Sequence, residues 1–242
     1  MALRLGISGF GRIGRLALRA LYESKVNDLE VIAVNDWKNP EAAAHLFQYD
    51  SVHGRYKGPI TIGDTSIDFG HGAVQALSSR DPAQLGWGDH GVDVVLECSG
   101  KFNERDKSAA HLMAGAKRVV VSAPCKQADA TIVFGVNDNK LTSDHLVLSS
   151  ASCTTNCLAP VAAVLDRAFG IEQGFCTTIH AYTGDQNILD GSHKDPRRGR
   201  AAGLSMVPTS TGAAEAVGEV LPSLKGKLTG SAVRVPTANV SM

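Results

Sequence analysis

Apolar residues along the chain recur with two different periods. Residues 3–8 and 30–35 are short apolar runs of strand length, whereas Ile13, Leu16, Ala17, Ala20 and Leu21 between them return at helical spacing. The alternation continues with a helix over 40–49, a hairpin-like stretch over 60–69 and a strand over 92–99. A helix with Asn103 as its candidate cap follows, then strands over 118–122 and 131–136. Residues 145–150 read as another strand, and helical spacing runs from 158 to 169, where Pro160 is expected to kink the helix or disturb one turn. Strand character returns over 175–183 and 231–236. Strands separated by helices predict an α/β fold with a doubly wound, mostly parallel sheet in the first 150 residues. Without an internal repeat or flexible linker, the chain reads as two packed domains, 1–150 and 151–242.

Composition narrows the function classes. The 242 residues are 43% hydrophobic, enough for ordinary globular cores. Lys plus Arg and Asp plus Glu balance at 24 each, so no overall field favours nucleic acid or an anionic membrane, and any anion site must be local. No apolar stretch approaches the roughly 20 residues of a membrane span, and the expectation is a soluble cytoplasmic protein. Cysteines at 98, 125, 153, 157 and 176 are odd in number and lack paired metal-ligand spacing, which points to reduced thiols and to no metal site.

Two places carry chemistry. Gly9-Phe10-Gly11-Arg12-Ile13-Gly14 lies between a strand and a helix, where the first glycine permits a tight turn, the second admits a pyrophosphate and the third allows close helix–strand packing. Asp36 ends the next strand about 20 residues further on, placed either to contact ribose hydroxyls or to cap the following helix. The second place is Cys153, between the strand of 145–150 and a helix start, where unpaired N–H groups and partial positive charge favour a thiolate. The alternative is a small buried hydrophobe.

Ser152-Cys153-Thr154-Thr155-Asn156-Cys157 closely resembles the active-site segment of glyceraldehyde-3-phosphate dehydrogenases. The glycine turn, Ser192-His193-Lys194-Asp195, Pro208-Thr209-Ser210-Thr211-Gly212 and Arg234-Val235-Pro236-Thr237 extend the resemblance over nearly the whole chain. It implies an N-terminal Rossmann-type domain that binds NAD, followed by an α+β catalytic domain with a mainly antiparallel sheet. It implies Cys153 as nucleophile, Cys157 as structural, and His180 as base, with Gly9, Gly11, Arg12, Ile13, Gly14, Asp36, Arg80, Ser99, Gly100 and Ser122 around the cofactor. Ser152, Thr154, Thr211 and Gly212 match the site of the attacking inorganic phosphate, and Thr183, Arg198 and Arg234 match contacts to glyceraldehyde 3-phosphate. The reaction so implied oxidises the aldehyde through a Cys153 thioester and releases an acyl phosphate. The same likeness makes residues 184–203 an interface loop and the assembly a homotetramer.

Some positions depart from that pattern. Ser8 stands where the family usually has asparagine and Ser99 where threonine is usual, and neither removes a required charge. The sequence ends at Met242, before the remaining strands, terminal helix and nicotinamide-contacting asparagine expected of the family, so the catalytic domain is expected to be incomplete and the chain to turn over slowly. Erythrose-4-phosphate dehydrogenase and an inactive NAD-binding or interaction protein are the alternatives, the first disfavoured by the 208–212 segment.

Overall fold

The computed structural model describes residues 2–24, 26–35 and 39–242. They form two compact units, the first comprising Met1–Thr131 with Leu141–Ala151, the second Ile132–Lys140 with Ser152–Met242.

The first unit contains, in chain order, strands β1 (Leu3–Ser8), β2 (Leu29–Asn35), β3 (Tyr49–Asp50), β4 (Gly54–Arg55), β5 (Thr61–Ile62), β6 (Ser66–Asp68), β7 (Ala73–Leu77), β8 (Val94–Glu97), β9 (Arg118–Val121), β10 (Ala130–Thr131) and β11 (Val147–Ser149). Its helices are α1 (Arg12–Glu23), α2 (Pro40–Gln48), α3 (Arg105–Ser108) and α4 (Ala110–Met113). The main sheet runs β10-β11-β9-β8-β1-β2-β7-β6-β5. Its pairings from β10 to β7 are parallel, and the expected hairpin of β5 and β6 closes one edge antiparallel. Chain order reverses where β8 lies beside β1, the switch point at which doubly wound sheets bind ligands off their strand ends. Ser8, Asn35 and Glu97 end neighbouring strands there, with Ser8 in register with both of the others.

Alternation along β1 separates the cores. Leu5 and Ile7 join Leu18, Phe47 and Phe69 on one face, while Gly6 leaves room for the Trp87 ring on the other, where an added Cβ would lie 2.8 Å from it. Val95 and Val92 pack around Trp87 there.

The second unit holds α5 (Cys153–Phe169), β12 (Gly174–Ala181), β13 (Val207–Thr209), α6 (Ala213–Val220) and β14 (Leu228–Val235). Its sheet is ordered β12-β14-β13. β13 pairs antiparallel with β14, and the 240–242 segment bonds the other edge of β12 in the antiparallel sense, through Ile179 and Met242. The longest pairing, β12 with β14, is parallel over its whole length. α6 packs on β14 and α5, burying Val217 and Val220.

Several local expectations need correction. The strand read over 131–136 ends at Thr131, because Asn137 Oδ1 takes the Val133 N–H at 2.8 Å and Asp138 Oδ1 the Gly135 N–H at 2.7 Å, folding the segment into turns. Asn103 does not cap a helix: its amide donates to the Gly100 carbonyl at 3.1 Å, and Glu104 precedes α3 instead. The helix expected beyond it is divided between α3 and α4 at Ala109. Asn39 caps α2, its side chain accepting the Ala42 N–H, while Asp36, the other candidate cap, lies outside the described residues. α5 continues through Pro160 without a break, since proline removes one ladder bond while the turns on either side keep theirs.

Candidate active site

Cys153 opens α5. Ser152 caps the helix, its hydroxyl accepting the Thr155 N–H at 3.0 Å and lying 2.7 Å from the Thr155 hydroxyl. The preceding Ala151 has φ 58°, a left-handed conformation that stores local strain at the entry to the helix. The cap leaves the Cys153 N–H, at the first helical position, without an intrahelical acceptor.

β12 carries His180 to the thiol. Cys153 Sγ lies 3.2 Å from His180 Nε2, and His180 Nδ1 lies 2.7 Å from the Ala181 carbonyl oxygen. A carbonyl only accepts, so the proton sits on Nδ1 and the Nε2 lone pair faces the sulfur. Arg234 Nη1, on β14, is 3.1 Å from Nδ1, but a protonated Nδ1 cannot accept from it. The guanidinium donates instead to the Ala181 carbonyl at 3.1 Å and more weakly to the Thr183 hydroxyl at 3.4 Å. The in-register pairing of His180 with Arg234 across β12 and β14 fixes this arrangement. Burial lowers the His180 pKa, the Ala181 carbonyl opposes that shift, and the Arg234 charge reinforces it. A neutral imidazole facing a thiol can take its proton.

Arg198 is held differently. Its Nε and Nη2 donate to Thr209 Oγ1 at 2.8 and 2.7 Å, and Nη1 pairs with Asp185. The sequence reading quoted Thr209 only as part of the 208–212 motif and did not single out Asp185, because neither contact to Arg198 shows in the local pattern. Burial lowers the Arg234 pKa and repulsion from Arg198 lowers it further, against attraction from Cys153 and Asp185. The positive charges of Arg198 and Arg234 thus oppose one another within the second unit. Thr154 follows Cys153 in the first turn of α5. Gly212 precedes α6, and the Thr211 hydroxyl accepts the Ala213 N–H at 3.1 Å. Among the described residues no side-chain hydrogen bond joins Thr211 or Gly212 to the Cys153 cluster. Cys157, expected to be structural, is exposed like Cys153, so access does not separate the two thiols.

In the first unit the glycine turn has the form a pyrophosphate requires. A Cβ on Gly14 would lie 2.2 Å from the Gly9 carbonyl oxygen, whereas one on Gly11 would meet nothing within 4 Å. Gly11 caps α1 without a side chain and the first turn carries no acid, so its N–H groups are open to an anion. Arg12 pairs with Asp50 at 3.1 Å, and Ile13 exposes an apolar side chain beside the turn. Asn35, missed from sequence, grips Ser79 through two 3.0 Å bonds and so anchors the loop that carries Arg80. Ser99 and Gly100 follow β8, and the Ser122 N–H bonds the Glu97 carbonyl at 3.0 Å. Asp36 lies outside the described residues. Among those described, no group of three or more His, Cys, Asp or Glu side chains clusters to hold a metal, and no helix is long and apolar enough to cross a membrane.

Residues 3–105 match the family described as glyceraldehyde 3-phosphate dehydrogenase, NAD binding domain, and residues 152–242 match its C-terminal domain. Proteins named glyceraldehyde-3-phosphate dehydrogenase from Xanthobacter flavus and Cereibacter sphaeroides are 60% and 59% identical over 242 residues, and one from Geobacillus stearothermophilus is 53% identical over 243. All of this chain is covered in each comparison, against 72% of each relative. With both domain families matched in order and identity above half, the chain belongs to the glyceraldehyde-3-phosphate dehydrogenase family, whose N-terminal domain binds NAD.

Proposed function

We propose that this chain oxidises glyceraldehyde 3-phosphate to 1,3-bisphosphoglycerate with NAD and inorganic phosphate, through a thioester on Cys153. The observation that carries the reading is the 3.2 Å approach of Cys153 Sγ to a His180 Nε2 whose other nitrogen is committed to a carbonyl. His180 takes the thiol proton as sulfur adds to the aldehyde carbon, and passes it to the carbonyl oxygen. The Cys153 N–H, at the start of α5, stabilises the oxyanion of that addition. His180 then withdraws the hydroxyl proton of the adduct, leaving the acyl group on sulfur once the carbon is oxidised. Inorganic phosphate attacks that carbon and expels the Cys153 thiolate, giving the acyl phosphate.

NAD, when bound, supplies the two-electron acceptor for this oxidation. Gly9, Gly11, Arg12, Ile13 and Gly14 would hold its pyrophosphate side, with Asp36, Arg80, Ser99, Gly100 and Ser122 around the remainder. The first unit is therefore read as the cofactor domain and the second as the catalytic one.

Arg234 and Arg198 supply the positive charge for the substrate phosphate, with Thr183 beside them; guanidinium groups grip such oxyanions through paired donors. Ser152, Thr154, Thr211 and Gly212 are assigned to the attacking phosphate. The Ser152 hydroxyl already caps α5, so it serves there as a donor while still accepting the Thr155 N–H. The assembly is read as a cytoplasmic homotetramer, by family likeness. Measuring aldehyde-dependent NADH formation with and without inorganic phosphate tests the reaction. Oxidation that is indifferent to phosphate would overturn it.

A further inference from the structure

Beneath the two glycine turns of the first unit lies a polar chain that the proposed reaction does not use. Glu97, at the end of β8, is 1% exposed, and His111 and Trp87 are fully buried. Glu97 Oε1 accepts the Ser99 N–H at 2.7 Å and also the Ser99 hydroxyl, while Oε2 lies 2.9 Å from His111 Nε2. On the far side of the imidazole, Trp87 Nε1 is 2.9 Å from His111 Nδ1.

The donor count fixes the protonation. An indole N–H only donates, so His111 Nδ1 carries no proton and Nε2 must carry the one that points at Glu97. An imidazolium would place hydrogens on both nitrogens and lose the indole bond. The bonds thus fix the His111 tautomer with Nε2–H directed at Glu97, and no lysine or arginine among the described residues pairs with that carboxyl group. Burial, the larger cause, and the Glu97 charge push the Cys98 thiol up to about 11 against a hydrogen bond from Ser122, so Cys98 next to it stays neutral.

A buried carboxyl group is costly unless hydrogen-bonded, and here its acceptor capacity goes to three donors, two of them on one residue. That residue, Ser99, abuts the first glycine turn: a Cβ on Gly9 would lie 2.5 Å from its N and Cα. Its hydroxyl, directed at Glu97, also accepts the Lys101 N–H at 3.1 Å and so closes the turn over Gly100, which has φ 72° and open space beside it.

We propose that Glu97, held by the His111–Trp87 pair, is a positioning residue that locks the Ser99–Gly100 turn against Gly9 and so pre-forms one wall of the cofactor pocket. The proposal rests on the reading that NAD occupies this site. Glu97→Gln in the full chain keeps the shape and an acceptor for Ser99, but turns an NH2 toward the His111 N–H, two donors face to face. NAD binding, measured by calorimetry well below the melting temperature, should weaken by roughly tenfold or more. Alkylation of Cys153 in the absence of NAD should keep its wild-type rate. A purely structural role would lower the melting temperature and leave the affinity of the folded protein unchanged, and that result overturns the proposal. Nitrogen-15 spectra of the wild-type imidazoles provide a second measurement, which holds even if the variant fails to fold. His111 should show Nδ1 bare and Nε2 protonated at neutral pH, and protons on both nitrogens would overturn the assignment. Absence of NAD binding by the wild type would instead bring down the cofactor reading, and this one with it.

Discussion

Gly9 and Ser99 approach so closely that a Cβ on the glycine would sit 2.5 Å from the serine backbone, and Gly9 also holds φ 92°. Steric room and backbone conformation thus both demand glycine at this one position. Gly9→Ala should lower unfolding stability by about 2–5 kcal/mol, combining left-handed strain with overpacking. Urea denaturation checks this. A midpoint within error of wild type would show that the Ser99 turn yields readily, which would also weaken the case for a pre-formed pocket wall.

His180 should dominate the pH response of the catalytic unit. With its pKa lowered mainly by burial, the imidazole stays neutral at pH 7 and remains a base somewhat below the ordinary ~6.5. Wild-type acylation should fall as pH drops through a value under that, and His180→Asn should slow acylation by about two to four orders of magnitude at neutral pH. Stability follows the same sign. The unfolded imidazole binds its proton first as pH falls, so the contribution of His180 is intact above about 6.5 and lost toward the lower folded pKa. Denaturation midpoints of wild type and His180→Asn, compared between pH 7 and 5, should show the wild type losing more.

Much of this arrangement was legible in the chain because its signals are local. A strand, three spaced glycines and a helical period lie within a short stretch around Gly9 to Leu21, and Ser152-Cys153 sits where an apolar run changes period. His180 lies within a strand-like run, but only the resemblance singled it out. What stayed hidden depends on side chains that meet across the fold. Glu97 reads as a strand-ending acid until Trp87 and His111 arrive from other elements, and Arg198, singled out only by the resemblance, gives no sign in the sequence of the Thr209 and Asp185 side chains on its nitrogens. The false strand at 131–136 failed for a related reason. Its apolar run is real, but Asn137 and Asp138 capture the backbone donors a ladder would need, leaving Phe134 88% exposed.

The two exposed thiols of α5 offer a cleaner test of activation than access alone could give. Cys153 contacts His180, whereas Cys157 stands a turn further along the helix. Iodoacetamide should modify Cys153 faster at neutral pH, and His180→Asn should erase most of that difference while leaving the Cys157 rate unchanged. Peptide mapping over a time course reads both rates in one experiment. Faster labelling of Cys157 in the wild type would contradict Cys153 as nucleophile.

Cofactor choice should depend on Asp36, placed by sequence at the end of β2. Its carboxylate would face the extra phosphate of NADP, and unit charges ~4 Å apart repel by roughly 4 kcal/mol at an effective dielectric near 20. NAD should therefore be preferred, and Asp36→Ala should narrow the gap chiefly by improving NADP. Equal catalytic efficiency of the wild type with both cofactors would remove Asp36 from that role.

Thr209 supports the substrate-phosphate reading most indirectly and tests it most specifically. Its hydroxyl, on a residue 6% exposed, accepts from two nitrogens of Arg198, while Asp185 holds the third. Thr209→Val keeps the volume and the β-branched shape that suits β13, but leaves two charged donors without their acceptor. Hydrogen bonds to charged groups contribute about 1.5–3 kcal/mol, so the guanidinium should swing toward Asp185 or solvent. If Arg198 steers the substrate phosphate, KM for glyceraldehyde 3-phosphate should rise by roughly tenfold with kcat much less affected, since the Cys153–His180 contact does not pass through Thr209. An unphosphorylated aldehyde gives the control, because it offers nothing for Arg198 to bind. Equal losses on both aldehydes would mean that Thr209 matters only for the fold of β13, and Arg198 would then lose its assignment to the phosphate.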